Sequence, residues 1–199
     1  MGNLTWIEPR NDHLHETLYV VCAITNPVRY ASRYRLYSDF ERRIRTAAEP
    51  YDVKVELVTI EAAYGARDHA VTDADTPGHI QLRTSHELWH KENLLNLAIQ
   101  RLPADWKYVA WVDADVNFMR PDWVEATLHA LQHYQVVQMW SESCDLAPNH
   151  ESLKAFRSFM WCYEHPDEVD PPTGYYANRD RGAGPFYWHP GFAWAARRE

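Results

Sequence analysis

Two aspartates separated by one residue, Asp113 and Asp115, follow directly on the uncharged run Tyr108 to Val112. A short apolar run of this kind predicts a strand buried on both faces. Alternate residues of a strand point to the same side, so an extended Asp113-Ala114-Asp115 would aim both carboxylates at one place. Their mutual repulsion calls for a cation, and hard carboxylate oxygens suit Mg²⁺ or Mn²⁺. Such an ion, held by one or two carboxylates, completes its shell with water and substrate phosphates. The competing reading is local: the pair caps a turn, or the helix that Pro121 is suited to start. The chain carries its own control. Asp73-Ala74-Asp75 is the same tripeptide, but it follows a polar stretch and precedes Thr76-Pro77-Gly78, which predicts a solvated loop.

Other constellations carry less. His129 and His133 are one helical turn apart, but no Glu follows His129, so the metalloprotease motif is absent and surface histidines are expected. No G-x-G-x-x-G and no G-x-x-x-x-G-K-[ST] occurs, which removes the dinucleotide fingerprint and the P-loop. Cys22, Cys144 and Cys162 have no metal-like spacing. Cys22 lies in an apolar run and reads as a buried core thiol, and a disulfide framework is not expected.

The elements that must position Asp113 and Asp115 can be read in order. Leu18 to Ile24 is a buried strand stopped by Thr25-Asn26-Pro27. Ser32 can cap a helix to about Ala48, with Leu36, Phe40 and Ile44 on its apolar side. Val53 to Ile60 is a second strand, followed at once by Glu61. Strand, helix, strand with short joints opens a parallel sheet with right-handed crossovers. Ligands of such sheets collect beyond the carboxyl ends of the strands. There the first strand would contribute Thr25, Asn26 and Pro27, the second Glu61, and the third Asp113 and Asp115.

The remainder is coarser. Residues 62–85 read as a long loop, 87–101 as a helix ending at Pro103, and 121–134 as a helix. Val136 to Trp140 reads as a strand, 151–163 as a helix, 164–187 as a second long loop, and Trp188 to Ala196 as a last strand. At 199 residues the chain predicts one domain, and 46% apolar with 24% charged residues is a globular composition. A net charge of −8 argues against a broad nucleic-acid-binding surface. No apolar run approaches membrane-spanning length, and the first thirty residues lack a basic start followed by an apolar core, so a soluble, cytoplasmic protein is expected. Nine Trp and twelve Tyr are present; flat aromatic faces can stack on sugars, although core and rim packing accounts for most.

Three segments together resemble the GT-A fold glycosyltransferases, close to the family 2 type. They are YVAWVDADVNFMRPDWVEATLHAL, similar to the strand, D-x-D and following helix of those enzymes; Lys91-Glu92-Asn93-Leu94-Leu95-Asn96, similar to their K-x-x-A-L-N helix; and His189-Pro190-Gly191-Phe192-Ala193-Trp194-Ala195-Ala196-Arg197-Arg198, similar to their Gly-containing acceptor-side strand. The resemblance implies an α/β, Rossmann-like fold with a mainly parallel central sheet. A nucleotide-binding half would span 17–120 and a partial acceptor half 121–199. It implies a metal-dependent transfer of a sugar from a nucleoside-diphosphate donor to an acceptor that the sequence does not identify. Asp115 would coordinate Mn²⁺ or Mg²⁺, and Asp113 would contact the ribose, or the metal through water. Thr25, Asn26 and Glu61 would hold base and ribose, with Pro27 and Ala114 beside them; Lys91 and Asn96 would border the nucleotide. His189 would be a third metal ligand or an acceptor contact. Family 2-like enzymes carry their base beyond the point where this chain stops, so a fragment is expected and no catalytic base is assigned. The alternatives are a nucleotide-sugar or carbohydrate-binding module without turnover and, ranked last for want of a Gly-rich loop, a nucleotidyltransferase.

Overall fold

A computed structural model describes residues 16–48, 53–168 and 188–198. Nine strands and four α-helices follow in chain order among them: β1 (Thr17–Thr25), α1 (Ala31–Thr46), β2 (Lys54–Tyr64), β3 (His79–Thr84), α2 (Lys91–Ile99), β4 (Tyr108–Val112), α3 (Trp123–His133), β5 (Val136–Gln138), β6 (Glu142–Leu146), β7 (Ser152–Ser158), α4 (Phe159–Glu164), β8 (Trp188–His189) and β9 (Ala193–Arg197). Six strands form the main sheet in the order β3-β2-β1-β4-β9-β5. The pairs β1–β2, β1–β4 and β2–β3 are parallel, and β9 runs antiparallel to both its neighbours. The result is the mixed, mostly parallel α/β sheet that the strand–helix–strand pattern predicts.

Each face of this sheet is closed by helices whose apolar stripes the sequence supplies. On one side Leu18, Val20, Cys22 and Ala110 meet Tyr37, Phe40 and Ile44 of α1 and Val124, Leu128 and Leu131 of α3. On the other, Val21, Ile60 and Val109 meet Leu94, Leu95 and Ala98 of α2. Burying each of the larger of these side chains contributes about 1.5–3 kcal/mol before entropy is charged against it. Strand order reverses at β1: β2 and β3 lie to one side, β4 to the other. The crevice between the carboxyl ends of β1 and β4 is therefore the topological switch point, where open α/β sheets take their ligands.

Several sequence expectations shift. Helix α1 begins at Ala31, ahead of Ser32, because the Asn26 side chain both donates to Tyr30 O (2.9 Å) and accepts from Tyr30 N (3.0 Å). Leu36 is exposed, and Tyr37 takes its place in the core. The stretch 62–85 is not all loop. It holds the end of β2 and the whole of β3, which enters the sheet where the carbonyl of Gly78 (φ +83°) accepts from Thr59 N (2.8 Å). A Cβ at Gly78 would collide with Leu57 O, so the close approach of these backbones requires glycine. Helix α2 starts at Lys91, not at 87, and Leu88 stands in solvent. Residues 151–163 are not one helix: β7 pairs with β6 as a hairpin, and then Ser158 caps the short α4 by accepting from Trp161 N (2.9 Å). Residues 1–15, and all but 164–168 of the expected loop 164–187, lie outside the described residues.

Candidate functional site

Strand β4 ends at Val112, and Asp113-Ala114-Asp115 is presented by a turn, not by an extended strand. Asp113 is fixed at both backbone groups: its N–H donates to Phe192 O (2.8 Å), and its carbonyl accepts from Val116 N (3.1 Å), closing the turn. Strand-face alternation therefore does not apply to the two carboxylates, because the strand ends before them. They remain electrostatically coupled. Solvent reaches Asp115, but crowding by protein at the sheet rim holds its carboxyl above the ordinary carboxylate range, and the negative charge of Asp113 pushes the same way. Lys91 and Arg33 partly offset this from a distance.

Lys91, the first residue of α2, is ion-paired through Nζ to Asp113 Oδ1, both side chains about three-tenths exposed. The pairing follows from topology. Asp113 continues the β4 register on the side facing α2, and α2 runs back along the sheet from its carboxyl rim. Arg33, near the start of α1, donates to Thr25 O (3.0 Å) across the mouth of the same crevice. Two aspartates and two cations thus flank the switch point. Ala114 packs against the core cluster on the α1 side.

The remaining candidates divide. Asn26 is buried and its carboxamide is engaged by Tyr30. Pro27 presents its carbonyl to Arg67 (2.6 Å). Glu61 is buried with its carboxylate accepting four bonds, from Ala70 N (2.7 Å), Val71 N (3.1 Å), Thr72 N (2.9 Å) and Thr72 Oγ1 (2.7 Å). Its charge is satisfied by the loop it ties down, so any nucleotide it helps to hold would meet that loop. A cleft of about 340 Å³ opens beside it, lined among others by Asn26, Arg29, Tyr34, Arg67 and His69. Asn96 is exposed, and it lies about 7 Å down α2 from Lys91, away from the rim. His189 stacks on Phe192 (4.3 Å, 12°) and meets Trp140 and Phe156 edge-on; burial among these rings lowers its pKa. Its Nδ1 accepts from Gly191 N (3.0 Å).

Among the described residues no three His, Cys, Asp or Glu side chains gather closely enough to hold an ion by themselves. The coupled pair Asp113 and Asp115 still fits a cation of the Mg²⁺ type, which needs only one or two carboxylates and takes the rest of its shell from phosphate and water. His189 is not brought into a ligand cluster with them. Asp73-Ala74-Asp75 closes on itself, Asp75 N donating to Asp73 Oδ1 (3.0 Å), on an exposed loop. His129 and His133 are both exposed. Sequence reasoning missed Arg33 and the cleft residues Arg29, Tyr34 and Arg67. Only the position of Arg29 and Arg33 just after a strand-ending Asn-Pro turn could have pointed to them.

No protein-family model matches the sequence, and no curated protein matches it either. Among solved structures, a protein from Desulfovibrio desulfuricans G20 provisionally described as a nucleotide-diphospho-sugar transferase superposes with a TM-score of 0.38 at 15% identity, over 61% of this chain and 57% of its own. This chain thus spans little more than half of that one. The 4-diphosphocytidyl-2C-methyl-D-erythritol synthase of Anaerococcus prevotii DSM 20548 gives 0.45 at 10% identity, over 92% and 72%. Rv0371c of Mycobacterium tuberculosis H37Rv gives 0.36 at 13%, over 89% and 88%. These likenesses are too distant to bear on function.

Proposed function

We propose that the chain is a transferase for a nucleoside-diphosphate sugar, moving the sugar to an acceptor with the help of Mn²⁺ or Mg²⁺. The observation that carries this reading is the coincidence of the Asp113–Asp115 turn with the point where strand order reverses. The cleft by Glu61 and this turn lie on either side of β1. Their separation is about two strand spacings, roughly 10 Å, a distance an extended nucleoside diphosphate spans. Asn26, Arg29, Tyr34 and the loop held by Glu61 would receive base and ribose, and the turn would receive the diphosphate. Lys91 and Arg33 would supply positive charge beside the departing diphosphate, and charge already in position needs no reorganisation as the bond breaks. Phe192 and Lys91 keep Asp113 oriented. A divalent ion, when bound, offsets the two carboxylates and acts as a Lewis acid on the diphosphate.

Calorimetric titration of UDP and GDP, with and without Mn²⁺, tests this. Metal-dependent binding that Asp115→Asn abolishes is expected, followed by release of nucleoside diphosphate from a matching nucleotide sugar. Absence of nucleotide binding under all these conditions would overturn it, and release of pyrophosphate from a nucleoside triphosphate would point to nucleotidyl transfer instead. The Lys91–Asp113 ion pair favours one second reading, a binding module, because an ammonium already neutralises one of the two carboxylates. Such a module would bind nucleotide without added metal and release no product.

A further inference from the structure

Residues 65–78 join β2 to β3, and Ala66 to Ala70 form one side of the cleft beside Glu61. Both ends of this loop are pinned to the sheet, Gly65 N donating to Thr84 O (2.9 Å) and Thr59 N to Gly78 O. Between them it is clipped down by a row of side chains that strand geometry supplies. Thr59, Glu61 and Ala63 of β2 pair in register with His79, Gln81 and Arg83 of β3, so these alternate residues share one face of the sheet edge. Glu61 holds Ala70 to Thr72, and Gln81 Nε2 donates to Thr72 O (2.7 Å). Arg83 donates to Gly65 O (2.6 Å) and to Arg67 O, and His79 Nδ1 accepts from Asp73 N (3.0 Å). From the loop itself, the His69 Nε2 is bonded to Leu82 O (2.9 Å).

His79 is the unusual member of the row. A backbone N–H can only donate, so Nδ1 bears no proton and the single ring hydrogen is on Nε2. That Nε2 lies 3.4 Å from Glu41 Oε1 of α1, too poorly aligned to bond, and among the described residues it has no hydrogen-bond partner. Two neighbours thus make opposite demands on an imidazole only 6% exposed. The carboxylate of Glu41 favours a second proton on the ring, whereas the Asp73 N–H leaves that proton no room. The other groups nearby do not relieve the conflict. Arg45 shares the Glu41 carboxylate (2.9 Å), Asp73 Oδ1 is taken by Asp75 N, and Glu61 is saturated by the loop. On β2 the register partner Thr59 is neutral, and behind it Tyr37 and Cys22 keep their protons because burial favours the uncharged forms.

We propose that His79 is an acid-sensitive fastening for this loop: neutral, it clips Asp73 to the sheet edge; doubly protonated, it pairs with Glu41 and lets the Asp73 side of the loop come away, loosening one wall of the cleft. The step takes up one proton from solvent at Nδ1 and breaks one hydrogen bond, that from Asp73 N. His69 does not share the response. Its Nε2 faces a carbonyl and therefore already donates, so a proton gained at its Nδ1 leaves that bond in place. The fastenings by Glu61, Gln81 and Arg83 are likewise unaltered by a proton on an imidazole, so release starts at Asp73 and is local to it. A pH sensor of this kind needs a two-state element biased by a histidine, and a loop pinned at both ends with one titratable clip between them is such an element. The fastening itself does not depend on the transferase reading; only its consequence for a bound nucleotide rests on that reading.

The test is hydrogen exchange of the full chain, read by mass spectrometry and corrected for intrinsic rates, from about pH 8 to about pH 5, the span over which an imidazole titrates. Protection of the 72–78 segment should fall about fivefold or more across that span while the amides of β1 and β4 keep theirs. His79→Asn, whose carboxamide oxygen can stand where Nδ1 does and which does not titrate, should hold the loop's protection constant. Nitrogen NMR of the wild-type His79 ring should show the Nε2–H tautomer at the alkaline end and both nitrogens protonated at the acid end. Calorimetric titration of UDP and GDP over the same span should show affinity falling several-fold in the wild type and level in the variant. Loop protection that ignores pH in the wild type, an equal loss of protection in His79→Asn, or an Nδ1–H tautomer at neutral pH would each overturn the proposal. Nucleotide bound equally well at both ends of the span would overturn the loop's part in the cleft. Exchange as expected with no nucleotide bound at any pH would instead overturn the transferase reading and leave the fastening standing.

Discussion

The ammonium of Lys91 is ion-paired with the carboxylate of Asp113, tying the first turn of α2 to the end of β4 with the two side chains 28% and 29% exposed. Half-buried pairs of this kind are costly to break from one side, because the remaining charge keeps its desolvation without its partner. Lys91→Met should therefore destabilise the fold by about 1–2 kcal/mol, lowering Tm by roughly 2–6 °C. Asp113→Asn in the same background should cost less than the sum of the two single changes. A thermal double-mutant cycle measures the coupling, and additivity within error would mean that the pair contributes nothing.

Asp115 should behave in the opposite sense. Its pKa is raised, first by crowding and then by Asp113, so the folded chain resists its ionisation. Such a group weakens the fold when charged, and the penalty fades as pH falls through the raised pKa, vanishing below the ordinary value of 3.8. Asp115→Asn should then raise Tm at neutral pH by about 1–3 °C, a modest figure because solvent screens the site. The gain should shrink as the pH is lowered and be gone in acid. On the proposed role of the pair in holding a divalent ion, saturating Mn²⁺ should reverse the order at neutral pH, because the wild type keeps both carboxylates for the ion and the variant keeps one. Thermal scans across pH, with and without Mn²⁺, read all three effects.

What the sequence discloses of this fold depends on how locally each element is determined. Strands β1, β2 and β4 are buried on both faces and stand out as apolar runs, and α3 shows Val124, Leu128 and Leu131 at helical spacing. β7 is another matter. Leu153, Phe156, Met160 and Tyr163 recur every three or four residues and imitate a helix, but most of β7 is exposed, so no two-residue alternation betrays the strand. Its conformation is set by pairing with β6 across a turn at Ala147–Glu151 that composition alone does not specify. β3 is hidden for a related reason: His79–Thr84 becomes a strand by parallel pairing with β2, a non-local contact. At the site, the apolar run of β4 was legible but its end was not: the strand stops at Val112, and a turn carries Asp113 and Asp115 where an extended strand was expected. The engagement of Glu61 was invisible because its partners are backbone N–H groups of Ala70 to Thr72, which carry no sequence signature.

Those backbone bonds make Glu61 a strong test of structure against ligand contact. Three N–H groups and one hydroxyl converge on its carboxylate inside the protein. Glu61→Gln would set an amide NH₂ against donors that already face inward, so it should be nearly as damaging as Glu61→Ala. We expect a loss of about 3 kcal/mol for either, seen in urea unfolding. Limited proteolysis should move to the segment between Gly65 and Gly78 before the rest of the chain is cut. A variant that kept full stability and lost only nucleotide affinity would show that the carboxylate faces ligand instead.

Under α1 lies a small polar cluster that the site does not use. Tyr37 OH donates to Thr59 Oγ1 (2.9 Å), and the Cys22 thiol sits 3.4 Å from the same oxygen, all three side chains buried. Burial pushes the Cys22 thiol up to about 12, so it stays protonated and unreactive at neutral pH. Cys162 is likewise buried with a raised pKa, whereas Cys144 is exposed on β6. Iodoacetamide should therefore label the native chain at Cys144, with Cys22 and Cys162 modified only after unfolding; peptide mass mapping reads the order. Thr59→Val removes the shared oxygen and leaves the Tyr37 hydroxyl buried without its acceptor, a loss of about 1–3 kcal/mol. Because that loss loosens the packing of α1 on β1 and β2, Cys22 should become the first of the two buried thiols to react in the variant. Unchanged labelling together with unchanged stability would mean that the three groups do not act as a unit.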